Sequence, residues 1–188
     1  MKFMAIGLAV VLAGGVFLGA GPADGKKSVL IVYGSRYGST EQTAKWIAEG
    51  LAGRAMVAAA KDVADLGDCE KLVLGSGIYG DDVHADMNAF LERNGAAVKE
   101  KLVALFVVCG TPPAAAGGYL EMFAGKCGVK PPLLRAFPGW QKKERLSAED
   151  YKGLESYYKS QNYPFEDYDH TDKAACIAFG KEILATLD

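Results

Sequence analysis

The stretch SVLIVYGSRYGSTE at residues 28–41 decides the fold of this protein. Its first six residues, 28–33, form a nearly continuous run of β-branched and other apolar side chains that stops at a glycine. Such a run is typical of a strand that is buried on both faces, as in parallel sheets. From Thr40 to Leu51 apolar residues recur at helical spacing, and Ser39 or Thr40 is available as the N-cap. The stretch therefore predicts a buried strand, a short hydroxyl-rich loop and a helix.

The same alternation of strand and helix continues to the end of the chain. Further strands are predicted at 55–60, 71–75, 102–108 and 133–137, the first of them being the weakest. Helices are predicted to open at 85–91 and around 119–123, and the last helix to run from about 171 to 187. Five strands that alternate with helices indicate an α/β domain with a doubly wound, five-stranded parallel sheet.

Residues 1–25 are predicted to lie outside this domain, which then comprises residues 26–188. No charged residue lies between Lys2 and Asp24, and the small residues 19–21 suit cleavage by a signal peptidase. The run also has about the length, roughly 20 residues, that crosses a bilayer. The segment is therefore a cleaved signal peptide, a retained membrane anchor or, as a third alternative, a buried helix. Either of the first two predicts an exported (periplasmic) or membrane-anchored domain.

Composition excludes several classes of protein. Half of the 188 residues are hydrophobic and the formal net charge is only −2, as in one soluble globular domain. A nucleic-acid-binding domain needs a basic face, so no nucleic-acid partner is expected. The four cysteines form no close pair and there are only two histidines, which argues against a metal site. The cysteines are expected to be buried thiols, with a disulfide as the alternative in an exported domain.

Ligands of doubly wound sheets bind outside the carboxyl ends of the strands, where the strand order reverses. The loops 34–40, 75–84 and 109–119 follow the first, third and fourth predicted strands and are rich in small residues. The first of them leads into a helix N-terminus, whose free amides and positive dipole end attract anions. It has neither a Gly-Lys-Ser/Thr sequence nor the glycine spacing of a dinucleotide site. A monophosphate site is predicted, and a plain strand-to-helix turn is the alternative.

The segments Val32-Tyr33-Gly34-Ser35 and Gly38-Ser39-Thr40-Glu41 resemble the phosphate loop of flavodoxins, Ser/Thr-x-Thr-Gly-x-Thr. The resemblance implies non-covalently bound FMN, whose phosphate is surrounded by Ser35, Gly38, Ser39 and Thr40. Arg36 and Tyr37 of the same loop are also assigned to the cofactor site. Two positions depart from the family pattern, because Tyr37 replaces a threonine and Arg36 adds a charge. Arg36 either turns inward and compensates for the lost hydroxyl or points into water.

The second loop, GSGIYGDD at residues 75–82, resembles the flavodoxin loop that lies against the isoalloxazine ring. The resemblance implies that this loop contacts the flavin through Ser76, Ile78, Tyr79, Gly80 and Asp81. Tyr79 would be a stacking ring, and Gly80 the flexible peptide that faces flavin N5. Asp81 and Asp82 would place negative charge near the reduced ring and lower its potential, unless they are only surface residues of a turn.

The third loop resembles the flavodoxin segment that covers the other flavin face. The resemblance implies cofactor contacts from Cys109 and Gly110, with Tyr119 as a second stacking aromatic. An ordinary aromatic residue at a helix start is the alternative for Tyr119. His84, at the end of the second loop, is interpreted as a solvated residue at the start of a helix.

About thirty residues, 138–170, separate the fifth strand from the last helix and are predicted to form a long functional loop. This layout resembles the flavodoxin-like, quinone-linked protoporphyrinogen oxidases. The basic residues Lys142, Lys143 and Arg145 suit a membrane or an acidic partner, or they begin a solvated helix. The resemblance thus implies electron transfer to a redox partner protein or a quinone. No catalytic side chain or metal site is identified, so the chemistry would be the cofactor's; a binding module that has lost FMN is the alternative.

Overall fold

Five parallel strands form the central sheet in a computed structural model that describes residues 29–187. In chain order the strands are β1 (Val29–Gly34), β2 (Ala55–Ala59), β3 (Lys71–Tyr79), β4 (Asp82–Val83), β5 (Leu102–Cys109), β6 (Leu133–Pro138), β7 (Trp140–Gln141) and β8 (Tyr168–Asp169). The sheet has the order β2-β1-β3-β5-β6, and all neighbours in it are parallel. β4 pairs antiparallel with the end of β3, and β7 pairs antiparallel with β8. The predicted five-stranded parallel sheet is confirmed.

Helices cover both faces of the sheet. The helices of residues 29–187 are α1 (Ser39–Gly50), α2 (Ala85–Lys101), α3 (Gly117–Cys127), α4 (Ala148–Ser160) and α5 (Lys173–Ala185), and all except α4 contribute to the two core clusters. Ile47 of α1 and Phe179 of α5 pack with Val73 on one face. The next residue of β3, Leu74, packs with α2 and α3 on the opposite face. Successive side chains of a strand point to opposite faces, so a strand that is apolar throughout needs helices on both sides.

Two boundaries differ from the sequence expectation. The third strand continues to Tyr79 instead of ending at Gly75, because its last residues pair with β5 and then turn back into β4. The N-cap of α1 is Gly38, not Ser39 or Thr40, and no side chain caps it. The cap residue has φ +93°, a left-handed conformation that glycine adopts without strain.

The insertion 138–170 is not the structureless loop that its lack of a core pattern predicts. It contains α4 and the β7–β8 pair, and Phe165 contacts the rings of Tyr151 (5.1 Å) and Tyr158 (5.4 Å). No residue of α4 is fully buried. Through Tyr151 and Tyr158 the helix packs on this small aromatic cluster, and none of its residues belongs to the two main core clusters.

Residues 1–25, predicted as a signal peptide or anchor, lie outside the described residues. Within 29–187 no helix combines the length and the apolar character that a membrane span requires. The four cysteines are free thiols, three of them buried and Cys109 half-buried. In the same part of the chain no group of three His, Cys, Asp or Glu residues is placed to hold a metal ion.

Candidate functional site

Three loops meet at the carboxyl edge of the sheet, and hydrogen bonds join them. The amide of Arg36, in the loop after β1, donates to the hydroxyl of Tyr79 at the end of β3 (2.9 Å). The hydroxyl of Tyr119, in the first turn of α3, donates to the carboxylate of Asp81 (2.7 Å). The structure thus brings together residues of all three loops that the sequence identifies.

The loop 35–40 closes into a tight turn ahead of α1. The amide of Gly38 donates to Ser35 Oγ (3.1 Å), which holds the loop closed at its first residue. The helix then begins at Ser39, so its free amides face the same turn. The Ser39 hydroxyl lies beside Gly139, at the start of the insertion. This geometry provides an anion site at the positive end of a helix.

Thr40 provides the strongest sign that this loop takes a ligand. The residue is completely buried, and its hydroxyl has no hydrogen-bond partner within residues 29–187. An unsatisfied buried hydroxyl costs roughly 1–3 kcal/mol, so native proteins seldom keep one without a reason. A bound phosphate oxygen would accept the missing hydrogen bond. The residues of the loop therefore suit the phosphate group of a flavin mononucleotide.

Tyr37 holds the insertion against the phosphate loop. Its hydroxyl donates to the carboxylate of Asp150 and accepts a hydrogen bond from the amide of Ser147 (3.2 Å). Its carbonyl accepts a hydrogen bond from Trp140 Nε1 (3.1 Å). The side-chain hydroxyl of Tyr37 thus anchors α4, and its backbone carbonyl anchors β7.

The side chain of Arg36 is 43% exposed, and the insertion contacts its charged end. Its guanidinium forms an ion pair with Asp150 (2.6 Å) and lies over the ring of Tyr79, 4.7 Å from the centroid. The hydrogen bond to Asp150 raises the pKa of Arg36 further above its ordinary value. The hydrogen bonds from Tyr37 and Arg36 lower the pKa of Asp150. The charge of Arg36 is therefore already balanced.

Tyr79 lies between the phosphate loop and the second loop. Besides its contacts with Arg36, the Tyr79 ring packs in a T-shaped arrangement with the His84 ring, with 5.5 Å between the ring centroids. Burial raises the pKa of the Tyr79 hydroxyl. Stacking of this ring on a flavin stays a prediction. The next two residues, Gly80 (φ +57°) and Asp81 (φ +62°), are both left-handed and join β3 to β4. Two left-handed central residues define a type I′ hairpin turn, where glycine and aspartate are favoured.

The two acidic residues of the second loop have different surroundings. Asp81 accepts the hydrogen bond of Tyr119, which raises the pKa of that phenol. Asp82 forms an ion pair with Lys126 (3.0 Å) and accepts a hydrogen bond from Asn88 (3.2 Å). Because a lysine balances Asp82, Asp81 is the stronger source of negative potential at this edge of the site.

Three further residues of the second loop face inward. The buried Ser76 hydroxyl donates to the Gly77 carbonyl (2.8 Å) and accepts from the His84 amide (2.9 Å), so it fixes the path of the loop. Ile78 packs on the core. His84 is the N-cap of α2, as expected of a helix start, but its side chain is only 13% exposed. The expectation that it is solvated is wrong, and burial lowers its pKa.

The third loop lies under the insertion. The Cys109 thiol contacts the Thr111 carbonyl (3.6 Å). Burial raises the pKa of this thiol. A Cβ added to Gly110 would stand 3.0 Å from the hydroxyl of Tyr168, a residue of β8. Burial raises the pKa of the Tyr168 hydroxyl to about 12. Tyr168 of the insertion thus covers this loop. The sequence predicted cofactor contacts here only from Cys109, Gly110 and Tyr119.

The residues that sequence reasoning missed all belong to the insertion: Trp140, Arg145, Ser147, Asp150 and Tyr168. The only available signal was the density of aromatic and charged residues in 138–170, which indicates a functional segment but not its target. Of the basic residues that were assigned to a membrane or partner, Lys143 donates to the Phe165 carbonyl inside the insertion itself (3.2 Å).

Comparison with known structures supports the same fold. A flavodoxin from the domain Archaea has a TM-score of 0.55 at 19% identity, over 85% of this chain and 98% of the other. Flavodoxin 1 from Bacillus cereus has a TM-score of 0.56 at 17% identity, over 86% of this chain and 100% of the other. The flavodoxin of Megasphaera elsdenii has a TM-score of 0.55 at 16% identity, over 84% and 98%. No curated protein matches the chain.

The model of the flavodoxin domain family matches residues 30–165, which include the sheet, the three loops and most of the insertion. A domain of this family implies a flavin cofactor, typically FMN. The match covers most of the chain and includes the phosphate loop, and the strand order is that of a doubly wound flavin-binding sheet. The chain therefore belongs to the flavodoxin domain family.

Proposed function

We propose that this protein binds FMN non-covalently at the loop 35–40 and carries electrons to or from a partner protein. The observation that carries the proposal is the buried hydroxyl of Thr40 in the first turn of α1, which has no hydrogen-bond partner among residues 29–187. It lies in a loop that is closed by Ser35 and Gly38 and that opens a helix N-terminus. Such a loop binds a phosphate through neutral donors and a helix dipole.

When bound, FMN would supply the redox chemistry, and the chain's residues would bind and tune it. Ser35, Ser39 and Thr40 would hold the phosphate, and the amides of the first turn of α1 would add hydrogen bonds. Asp81 and Tyr119 lie where the second and third loops meet, so they would border the ring system. The carboxylate of Asp81 would disfavour added negative charge there and lower the potential of the flavin.

The structural neighbours support the electron-carrier part of the proposal. The B. cereus protein is described as an oxidised flavodoxin, and the M. elsdenii protein as a two-electron reduced flavodoxin. The fold that this chain has is thus described in an oxidised state in one neighbour and in a two-electron reduced state in the other. The nature of the partner, a protein or a quinone, is a finer part of the proposal. The likeness to quinone-linked protoporphyrinogen oxidases stays a prediction from the layout of the insertion.

Titration of the flavin-free protein with FMN and with riboflavin, followed by flavin fluorescence, tests the proposal. FMN is expected to bind more tightly than riboflavin, because only FMN has the phosphate. Replacing both Ser39 and Thr40 by alanine is expected to weaken FMN far more than riboflavin. Equal affinity for the two flavins would refute the phosphate site. Failure to bind either flavin would favour the alternative, a binding module that has lost FMN.

The proposed location outside the cytoplasm depends on residues 1–25 alone. Those residues lack the twin arginines that direct export of folded, cofactor-loaded proteins, so an exported chain would have to find FMN after export. Protease added to cells without an outer membrane tests this. Digestion of the domain supports the outward location, and complete protection refutes it.

A further inference from the structure

The insertion places a cation directly beside the phosphate loop. One terminal nitrogen of Arg145, Nη1, lies 3.4 Å from the position that a Cβ on Gly38 would take. The ring of Trp140 lies at the same distance from that position. Gly38 is the N-cap of α1, so the guanidinium stands at the start of this helix.

Arg145 is held in this position by the tryptophan. Its guanidinium lies 5.7 Å from the centre of the Trp140 ring, within the range of a cation–π interaction. The Trp140 indole donates to the carbonyl of Tyr37, inside the phosphate loop. The amide of Arg145 donates to the Lys142 carbonyl (2.9 Å), which closes the short 3₁₀ turn Lys143–Arg145. The position of the charge is thus fixed relative to the loop.

Arg145 is exposed to solvent, so water solvates its charge when no ligand is bound. The N-terminus of a helix carries a partial positive charge and repels a cation. Arg145 forms no ion pair with any of residues 29–187, whereas Arg36 is balanced by Asp150 at 2.6 Å. Lys142 lies close enough to Asp169 to help lower the pKa of that carboxyl. An anion between Arg145 and the start of α1 would remove the repulsion and pair the charge.

We infer that Arg145 binds the phosphate group of FMN, so that the insertion and not Arg36 supplies the cation of the phosphate site. This inference depends on the proposed function, because it concerns the same ligand. A guanidinium offers paired donors that match two phosphate oxygens. The Arg36–Asp150 ion pair then has a different role: together with Tyr37 it holds α4 against the loop.

Binding measurements with three glutamine variants test the inference. The flavin-free forms of the wild type, R145Q, R36Q and R135Q are titrated with FMN and with riboflavin. R145Q is expected to weaken FMN roughly tenfold or more, the scale of a charge-assisted hydrogen bond. Its riboflavin affinity is expected to stay within about twofold of the wild type. R135Q is the matched control, since Arg135 is paired with Glu182 (2.6 Å) on α5 and is expected to change neither affinity.

The outcomes distinguish a failure of the proposed FMN binding from a failure of the inference about Arg145. A wild type that binds neither flavin refutes the proposed function. If the wild type prefers FMN but R145Q keeps that preference, or if R36Q alone loses it, the inference about Arg145 is overturned. Should R145Q fail to fold, the salt dependence of the wild type decides. If the affinity for FMN falls with added NaCl while that for riboflavin does not, a cationic side chain at the phosphate site is supported. Salt-independent binding of FMN overturns the inference.

Discussion

Replacing Thr40 by valine tests two effects of its buried hydroxyl. In the free protein the hydroxyl lowers stability, and in the complex it would donate a hydrogen bond to the phosphate. Valine keeps the branched shape of threonine and replaces the hydroxyl by a methyl group. In the flavin-free protein this hydroxyl is fully buried and has no partner within the described part of the chain. Its removal is expected to increase the free energy of unfolding by about 1 kcal/mol. For a domain of this size the melting temperature should rise by roughly 2–4 °C.

The same substitution is expected to weaken FMN binding. A hydrogen bond to a charged group contributes about 1.5–3 kcal/mol, so the dissociation constant of FMN should rise roughly 10- to 150-fold. The dissociation constant of riboflavin should not change. The free protein thus becomes more stable and the complex weaker, a pair of opposite effects that general damage to the fold would not produce.

Thr43→Val is the matched control for this experiment. Thr43 is also buried in α1 without a hydrogen-bond partner of good geometry, but its hydroxyl lies near the Cys176 thiol and not in the loop. It should stabilise the free protein and leave FMN affinity unchanged. Thermal melts of both variants and fluorescence titrations provide the two readouts. An unchanged FMN affinity in Thr40→Val would refute the placement of the phosphate, and a lower melting temperature would show that the hydroxyl has a partner in solution.

The remaining predictions concern the flavin potential, helix packing and pH. Asp81→Asn should raise the midpoint potential of bound flavin by an energy on the order of 1 kcal/mol. Asp82→Asn should raise it less, because Lys126 balances the charge of Asp82. Spectroelectrochemistry measures both potentials. Gly180→Ala should destabilise the fold by about 1–3 kcal/mol or more, because its Cβ would stand 2.1 Å from a backbone oxygen of α1. Gly153→Ala, in open space on α4, should stabilise by about 0.5–1 kcal/mol; chemical denaturation compares the two glycine variants, and equal effects would contradict the packing argument. The pKa of Asp150 is lowered in the folded state, so the ionised carboxylate stabilises the fold above about pH 4 and this stabilisation disappears as the pH falls further. The difference in unfolding free energy between the wild type and Asp150→Asn should therefore vanish in acid. A difference that stays constant with pH would contradict this prediction.

The local patterns of the chain were sufficient for the sheet. Residues 29–33 are buried on both faces because every position is apolar, and this makes β1 a central strand. Even the weak pattern at 55–60 gave a strand in the expected place, β2. The hydroxyl-rich loop before α1 was equally visible, since its composition alone suits an anion. The helix cap was misplaced by one or two residues because the left-handed conformation of Gly38 depends on the closed loop, not on a capping side chain.

The sequence by itself determined the succession of the five parallel strands and of α1, α2, α3 and α5, the three loops that meet at the carboxyl edge and the kind of ligand that those loops suit. These follow from the spacing of apolar residues and from glycine and hydroxyl groups a few positions apart. Only the tertiary structure decided what lies over the phosphate loop. Trp140 and Asp150 contact Tyr37 and Arg36 across 103 and 114 positions of sequence. No local pattern encodes such contacts, because they form only when the insertion after the edge strand β6 reaches back across the carboxyl edge of the sheet to the loop after β1. That return places Arg145 at the start of α1.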